Sequence, residues 1–186
     1  MLFRSCNRPY TSLSDFEAII THLVENVGAA QEITFEAKGR LLTASHQSPP
    51  AGDIHYHLIY NLTGSAVEIS ASVEISASTN ASTNASTSAS ADTSAGADAA
   101  PQMPLQFILP VISRASESVV QPDSKTIRIT KPHGALTVRT DAPHGFEAVP
   151  KERTFNLVPG FECVPLSITM LPGQEIHIHL EAAANT

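Results

Sequence analysis

The chain has 186 residues, 42% of them hydrophobic, and carries 11 Lys and Arg against 18 Asp and Glu, a net charge of −7. That length fits one domain, or two small ones, with enough apolar residues to bury a real core. The few scattered cations exclude the basic stripe that nucleic-acid or anionic-membrane binding requires, and no apolar run approaches the length of a membrane span.

Residues 1–10 lack an apolar segment after Arg4 and do not read as a signal peptide. No structural signal precedes Ser12, so Met1 is expected to sit inside a longer parent chain. Ser14-Asp15-Phe16-Glu17 has the form of a capping box, in which a Ser hydroxyl and a Glu three residues on satisfy the first free N–H groups of a helix. Leu13, Phe16, Ile20, Leu23 and Val27 then recur at steps of three and four, and Gly28 can stop the helix. The pattern predicts one N-terminal amphipathic helix.

Short β-strands follow. Residues 31–37 alternate Ile33, Phe35 and Ala37 against polar neighbours, Lys38-Gly39 is a turn signal, and residues 40–45 read as the returning strand. Residues 54–60 place Ile54, Tyr56, Leu58 and Tyr60 on one face and His55, His57 and Ile59 on the other. Asn61-Leu62-Thr63-Gly64 turns the chain into a strand over residues 66–75.

Val67-Glu68-Ile69-Ser70-Ala71-Ser72 is repeated at once over residues 73–78. From there to Met103 the chain is rich in Ala, Ser, Thr and Asn with no large apolar residue. Such a tract cannot bury enough surface to offset its ordering entropy and is expected to be disordered, its ends roughly 30 Å apart as a coil. The expected organisation is therefore residues 1–76 with a helix and the first strands, residues 77–103 as a low-complexity insertion, and residues 104–186 as further strands, forming one domain with 1–76 or a second module.

Past residue 104 the alternation is cleaner. Leu105, Phe107 and Leu109 begin it, and Ile127 with Ile129, then Leu136 with Val138, continue it. Phe146 and Ala148 read as a short strand, as do Phe155 and Leu157. Val164, Leu166, Ile168 and Met170 form the best run in the chain, and Ile176, Ile178 and Leu180 complete the core. Turns lie at residues 131–134, 141–145, 159–160 and 171–174. Alternating strands punctuated every 8–12 residues predict a mainly β, immunoglobulin-like β-sandwich.

Two His-x-His pairs are the candidate metal ligands. His55 and His57 share one face of a strand, as do His177 and His179 of another, so each pair offers two imidazoles to one metal, as in a cupin. A cupin also wants a Glu three or four residues after the second His, where this sequence has Asn61 and Leu62. A solvated sheet face explains both pairs equally and is the stronger reading. Glu68 and Glu74 share a face because the hexapeptide repeats, and no carboxylate pair is singled out for glycosidase chemistry. No nucleophile elbow, phosphate-binding loop, H-E-x-x-H or C-x-x-C is present, and no cofactor is called for. Cys6 and Cys163 leave the redox compartment open, and Cys163, in an apolar strand, reads as packing. Asn61-Leu62-Thr63, Asn80-Ala81-Ser82 and Asn84-Ala85-Ser86 fit the glycosylation triplet, which matters only in a chain secreted from a eukaryote.

Tyr56, Leu58, Ile59, Tyr60, Asn61, Thr63 and Val67 form a strand–Asn–turn–strand unit. It resembles the one that follows the catalytic barrel of bacterial β-galactosidase-like glycoside hydrolases. Arg153-Thr154-Phe155, Pro159-Gly160 and Leu171-Pro172-Gly173-Gln174 are similar to the last strands of the immunoglobulin-like sandwiches that end such enzymes. The resemblance implies a non-catalytic accessory region of a carbohydrate-active enzyme, with no catalytic residue of its own. Its partners would be an upstream catalytic domain of the parent chain and, through homo-oligomer contacts, other copies. A secreted or surface interaction module with a Ser/Thr-rich stalk is the competing reading, and a metal-binding cupin the third.

Overall fold

A computed structural model describes residues 2–5, 11–15, 17–26, 32–49, 52–77, 103–154, 158 and 160–184; for Leu2, Ser5, residues 22–26 and Ala77 it describes the backbone alone. The low-complexity tract, residues 78–102, lies outside the described residues, as do Cys6, Phe16, Val27 and Gly28. Eleven strands are present among the described residues: β1 (Leu2–Ser5), β2 (Ile19–Asn26), β3 (Glu32–Arg40), β4 (Gly52–Thr63), β5 (Ala66–Ala77), β6 (Leu105–Ile112), β7 (Val119–Asp123), β8 (Thr126–Lys131), β9 (Gly134–Thr140), β10 (Cys163–Met170) and β11 (Glu175–Ala184). They form a small sheet in the order β1-β6-β10 and a large one in the order β2-β3-β4-β5-β11-β9-β8-β7. All described pairings are antiparallel.

The protein is thus mainly β, and its two sheets share one core. Val164, Leu166, Ile168 and Met170 of β10 and Leu105, Phe107, Leu109 and Val111 of β6 meet Ile69, Ala71, Val73, Ile176 and Ile178 of the large sheet. Each Val, Leu, Ile, Phe or Met side chain so buried contributes about 1.5–3 kcal/mol relative to exposure. Phe3 of β1 joins the layers: its ring stacks on Tyr56 of β4 at a centroid distance of 5.4 Å and tilts against Phe107 of β6 at 5.0 Å. Strands from both sides of residues 78–102 pair with each other, β1 with β6 and β5 with β11.

The hexapeptide repeat lies within β5. Six is an even number, and strand side chains alternate with period two. Both copies therefore send Val and Ile to the same face, and Ile69, Ala71 and Val73 are buried. Its partner β4 follows the expected alternation, with Ile54, Tyr56 and Leu58 buried and His55 exposed. The two strands run through twelve register pairs from Gly52↔Ala77 to Thr63↔Ala66, closed by Gly64-Ser65. Gly64 takes φ +40°, which glycine adopts without steric cost.

The predicted N-terminal helix is absent among the described residues. In its place stand one 3₁₀ turn (Ser12–Ser14) and strand β2 paired to β3. Ile19, Ile20, Thr21 and Val24 are β-branched, which crowds a helix and suits a pleated sheet, and five apolar residues at mixed spacing do not outweigh a paired strand. Leu13 and Ile20, two members of the predicted buried face, are 67% and 75% exposed. Asp15 does not begin a helix. Its carboxylate accepts the backbone N–H of Glu17 at 3.1 Å and of Arg40 at 2.5 Å, fastening this segment to the end of β3. The expected Lys38-Gly39 turn is likewise absent, because β3 runs through it to Arg40, and residues 40–45 do not return as a strand. Residues 146–148 form no strand. At residues 154–158 the described part contributes a single bridge, Thr154↔Cys163. Two strands lack any signal in the reading above: β1, which precedes Ser12, and β7, whose Val-Val-Gln-Pro-Asp run is too short to alternate.

Candidate functional site

The outward face of the large sheet carries all four predicted histidines. His55 and His57 lie on β4, and His177 and His179 on β11. Strand β5 runs between these two, so the pairs do not stand on neighbouring strands: His57 is opposite Ser72, His177 opposite Ser70 and His179 opposite Glu68.

Three of the four rings are taken up by carboxylates. His57 Nε2 lies 2.6 Å from Glu36 Oε1, which also receives Lys38 Nζ at 2.5 Å. His177 Nδ1 lies 2.8 Å from Asp141 Oδ2, while the other oxygen of Asp141 accepts the His177 backbone N–H at 2.7 Å. His179 Nδ1 lies 2.8 Å from Glu68 Oε1. Among the described residues no three His, Cys, Asp or Glu side chains come together as a ligand set for a metal. His55 faces Arg40 on one side and Glu74 on the other in register, with no hydrogen bond to any described residue.

Electrostatics follow from these partners. The hydrogen bond to Asp141 raises the pKa of His177 above the usual histidine value; burial opposes this, and the charges of Asp141, Glu175 and Glu68 add to it. Burial pushes Asp141 up, but its backbone and side-chain hydrogen bonds to His177 prevail and hold it below the ordinary aspartate value. Glu36 is held low by the hydrogen bond from Lys38, against burial and with help from His57. Ion pairs this exposed contribute little to stability, and their main effect is to fix side-chain direction.

A cleft of about 560 Å³ opens at one end of this face, where β2 begins late and leaves the end of β3 uncovered. Lys38, Arg40, His55, His57, Ser72 and Glu74 line it. Glu17 holds Arg40 Nη2 at 2.9 Å beside it. Gly39 is required at this place. A Cβ here would stand 2.5 Å from the Tyr56 hydroxyl and 2.6 Å from Asp15 Oδ2. Burial, then the Asp15 charge, pushes the Tyr56 phenol above its ordinary pKa. The arrangement supplies hydrogen-bond donors and acceptors at fixed strand spacings. Sequence reading found the histidines but not Lys38, Arg40 or Glu36, whose signal is the β3–β4 register rather than any local motif. Cys163 is a free, fully buried thiol, its pKa pushed up by burial.

The sandwich as a whole, rather than any one site on it, has counterparts among known proteins. The chain matches the model of the ulvan lyase C-terminal domain over residues 2–183, which takes in every strand from β1 to nearly the end of β11. The broad-specificity ulvan lyase of Formosa agariphila is 35% identical to it over 65 residues, 35% of this chain. The chain therefore covers only 10% of that protein's length. These findings correct the β-galactosidase-like resemblance in one respect: the family and the relative are named for a lyase and not for a glycoside hydrolase. The residues that carried the resemblance, a strand–Asn–turn–strand and the Pro-Gly pairs at residues 159–160 and 172–173, are common to β-rich sequences and mark no particular chemistry. What they did mark, a β region attached to carbohydrate-active enzymes, stands, and the chain belongs to the ulvan lyase C-terminal domain family.

Proposed function

We propose that this chain is the non-catalytic accessory domain of a polysaccharide lyase that acts on ulvan, packed against a catalytic domain in the same parent protein. The observation that carries this reading is the extent of the family match, residues 2–183, which covers the whole sandwich as one unit. The match to a short part of a much longer ulvan lyase supports it. The sandwich has a covalent and mechanical role on this reading: it shields apolar surface of its neighbour and raises the stability of the whole. The immunoglobulin-like description belongs to the same proposal. It is supported by a chain that alternates between sheets, from β1 to β2, β5 to β6, β6 to β7, β9 to β10 and β10 to β11.

The test uses the parent lyase with and without this domain. The shortened enzyme is expected to unfold at a lower temperature and to keep its chemical step on ulvan, read from the ultraviolet absorbance of the unsaturated ends that elimination leaves. An unchanged melting temperature, or ulvan cleavage by the isolated 186-residue chain, would overturn the reading.

A further inference from the structure

The cleft at the end of β3, β4 and β5 has no assigned role, and its unsatisfied groups define what it can hold. We propose that it binds a sugar unit of the parent enzyme's polysaccharide through that unit's hydroxyl groups, with His55 and Glu74 as the principal contacts.

Four observations carry this. The volume of about 560 Å³ lies within the roughly 300–1,000 Å³ of small-ligand sites. Most of the lining comes from three adjacent paired strands, which hold side chains more closely than loops do, with Asp15, Glu17 and Ile19 completing one side. The cationic side chains in and beside the cleft are already matched, Arg40 with Glu17, and Lys38 and His57 with Glu36. A contact to an anionic group would have to break those pairs, whereas a contact to a neutral hydroxyl would not.

His55 and Glu74 are different. They stand directly opposite each other across β4 and β5, both exposed, and neither is hydrogen-bonded to a described residue. Opposite residues of an antiparallel pair have Cβ atoms about 4.5–5.5 Å apart, so an imidazole and a carboxylate here can bracket one hydroxyl. A hydroxyl donates once and accepts twice, which suits a carboxylate acceptor and an imidazole N–H donor together. The Ser72 hydroxyl is the next polar group along β5 on the same face. Glu74 belongs to the second copy of the hexapeptide, so the duplication built this wall. In the first copy the equivalent Glu68 is spent on His179.

The identity of the polysaccharide rests on the reading of this chain as part of an ulvan-acting lyase; the site itself rests on the cleft. The test is an NMR titration of the full 186-residue chain with ulvan oligosaccharides. Binding at millimolar concentration is expected to shift the backbone amides of His55, His57, Ser72 and Glu74. The double variant His55→Ala/Glu74→Ala changes two exposed side chains, so its spectrum should stay dispersed, and its affinity should fall by about tenfold. The milder His55→Gln/Glu74→Gln variant keeps hydrogen-bonding groups and should lose less. Absence of shifts at those four residues, or a double variant that titrates like the unaltered chain, would overturn the proposal. Neither result bears on the stability of the parent lyase, so the two readings fail separately.

Discussion

Phe3 makes the sharpest test of how the sandwich is closed. It is 1% exposed, although it sits on a strand of four residues whose one strand partner among the described residues is β6, with a single further bridge from Arg4 to Thr11. Phe3→Ala removes the ring between Tyr56 and Phe107. Replacing a buried Phe by Ala costs about 3–5 kcal/mol, including the cavity left behind. The two ring contacts account for about 0.5–1.5 kcal/mol each of that beyond their buried area. β1 is a short edge strand and can move inward to close part of the void, so the lower end, about 3 kcal/mol, is expected. For a domain of this size that is a fall of roughly 6–12 °C in melting temperature. Urea unfolding followed by circular dichroism and tyrosine fluorescence would measure it, the chain having three Tyr and no Trp. Ile20→Ala is the control: at 75% exposure it should change stability by less than about 0.5 kcal/mol. If Phe3→Ala lay within 1 kcal/mol of the unaltered chain, β1 would not be part of the core and the reasoning would fail.

Gly39→Ala should destabilise by about 1–3 kcal/mol, because the new Cβ meets the Tyr56 ring and the Asp15 carboxylate together; an unchanged urea midpoint would refute this. His177 should titrate above the usual 6.5 by NMR and return towards it in Asp141→Asn. The sign of its effect on stability follows. The raised His177 stabilises fully below 6.5 and loses this as pH rises through its folded value; the lowered Asp141 stabilises fully above 3.8 and loses this as pH falls through its own. The pair is therefore at full strength between those two ordinary values, and at 53% and 57% side-chain exposure it is worth less than about 1 kcal/mol. Asp141→Asn should flatten that part of the stability–pH curve, and a curve of unchanged shape would count against the pair. Removing residues 73–78 keeps every remaining residue of β5 on its own face and should leave a cooperatively folded, less stable domain. Removing Ser72 alone turns Val73 outward and Glu74 into the core, and should cost more by urea denaturation; equal midpoints would contradict the alternation argument.

The strands that alternate over a long run were legible in the sequence. In β10 all four predicted inward residues, Val164, Leu166, Ile168 and Met170, are buried, and in β4 Ile54, Tyr56 and Leu58 are. The failures are where local pattern and tertiary pairing disagree. Residues 14–28 carry a capping-box signature, yet the side chain that was to cap a helix region is replaced in that role by Thr11, whose hydroxyl accepts the Leu13 N–H of the 3₁₀ turn. Asp15 is committed to Arg40, 25 residues away, a contact no local rule reports. The histidines were visible as two pairs on one face, but the distance between them depended on strand order. With β5 between β4 and β11, His57, His177 and His179 each found a carboxylate from a residue remote in sequence, and His55 did not. Strand order is set by the whole chain, so the cleft and its lining could not be read from any one segment.

The duplicated hexapeptide also makes β5 ambiguous to its neighbours. Sliding β5 by six residues along β11 would set Ile75 against Ile178, Val73 against Leu180, Ser76 against His177 and Glu74 against His179, the same residue types as now. Side-chain recognition between these strands is therefore degenerate. What selects one alignment is the tight Gly64-Ser65 connection, which leaves no slack between β4 and β5. Lengthening that connection by six residues or more would remove this restraint and leave only the pairing of β5 with β4, where Val73 and Ile75 meet Tyr56 and Ile54, to hold the native alignment against slippage by one repeat.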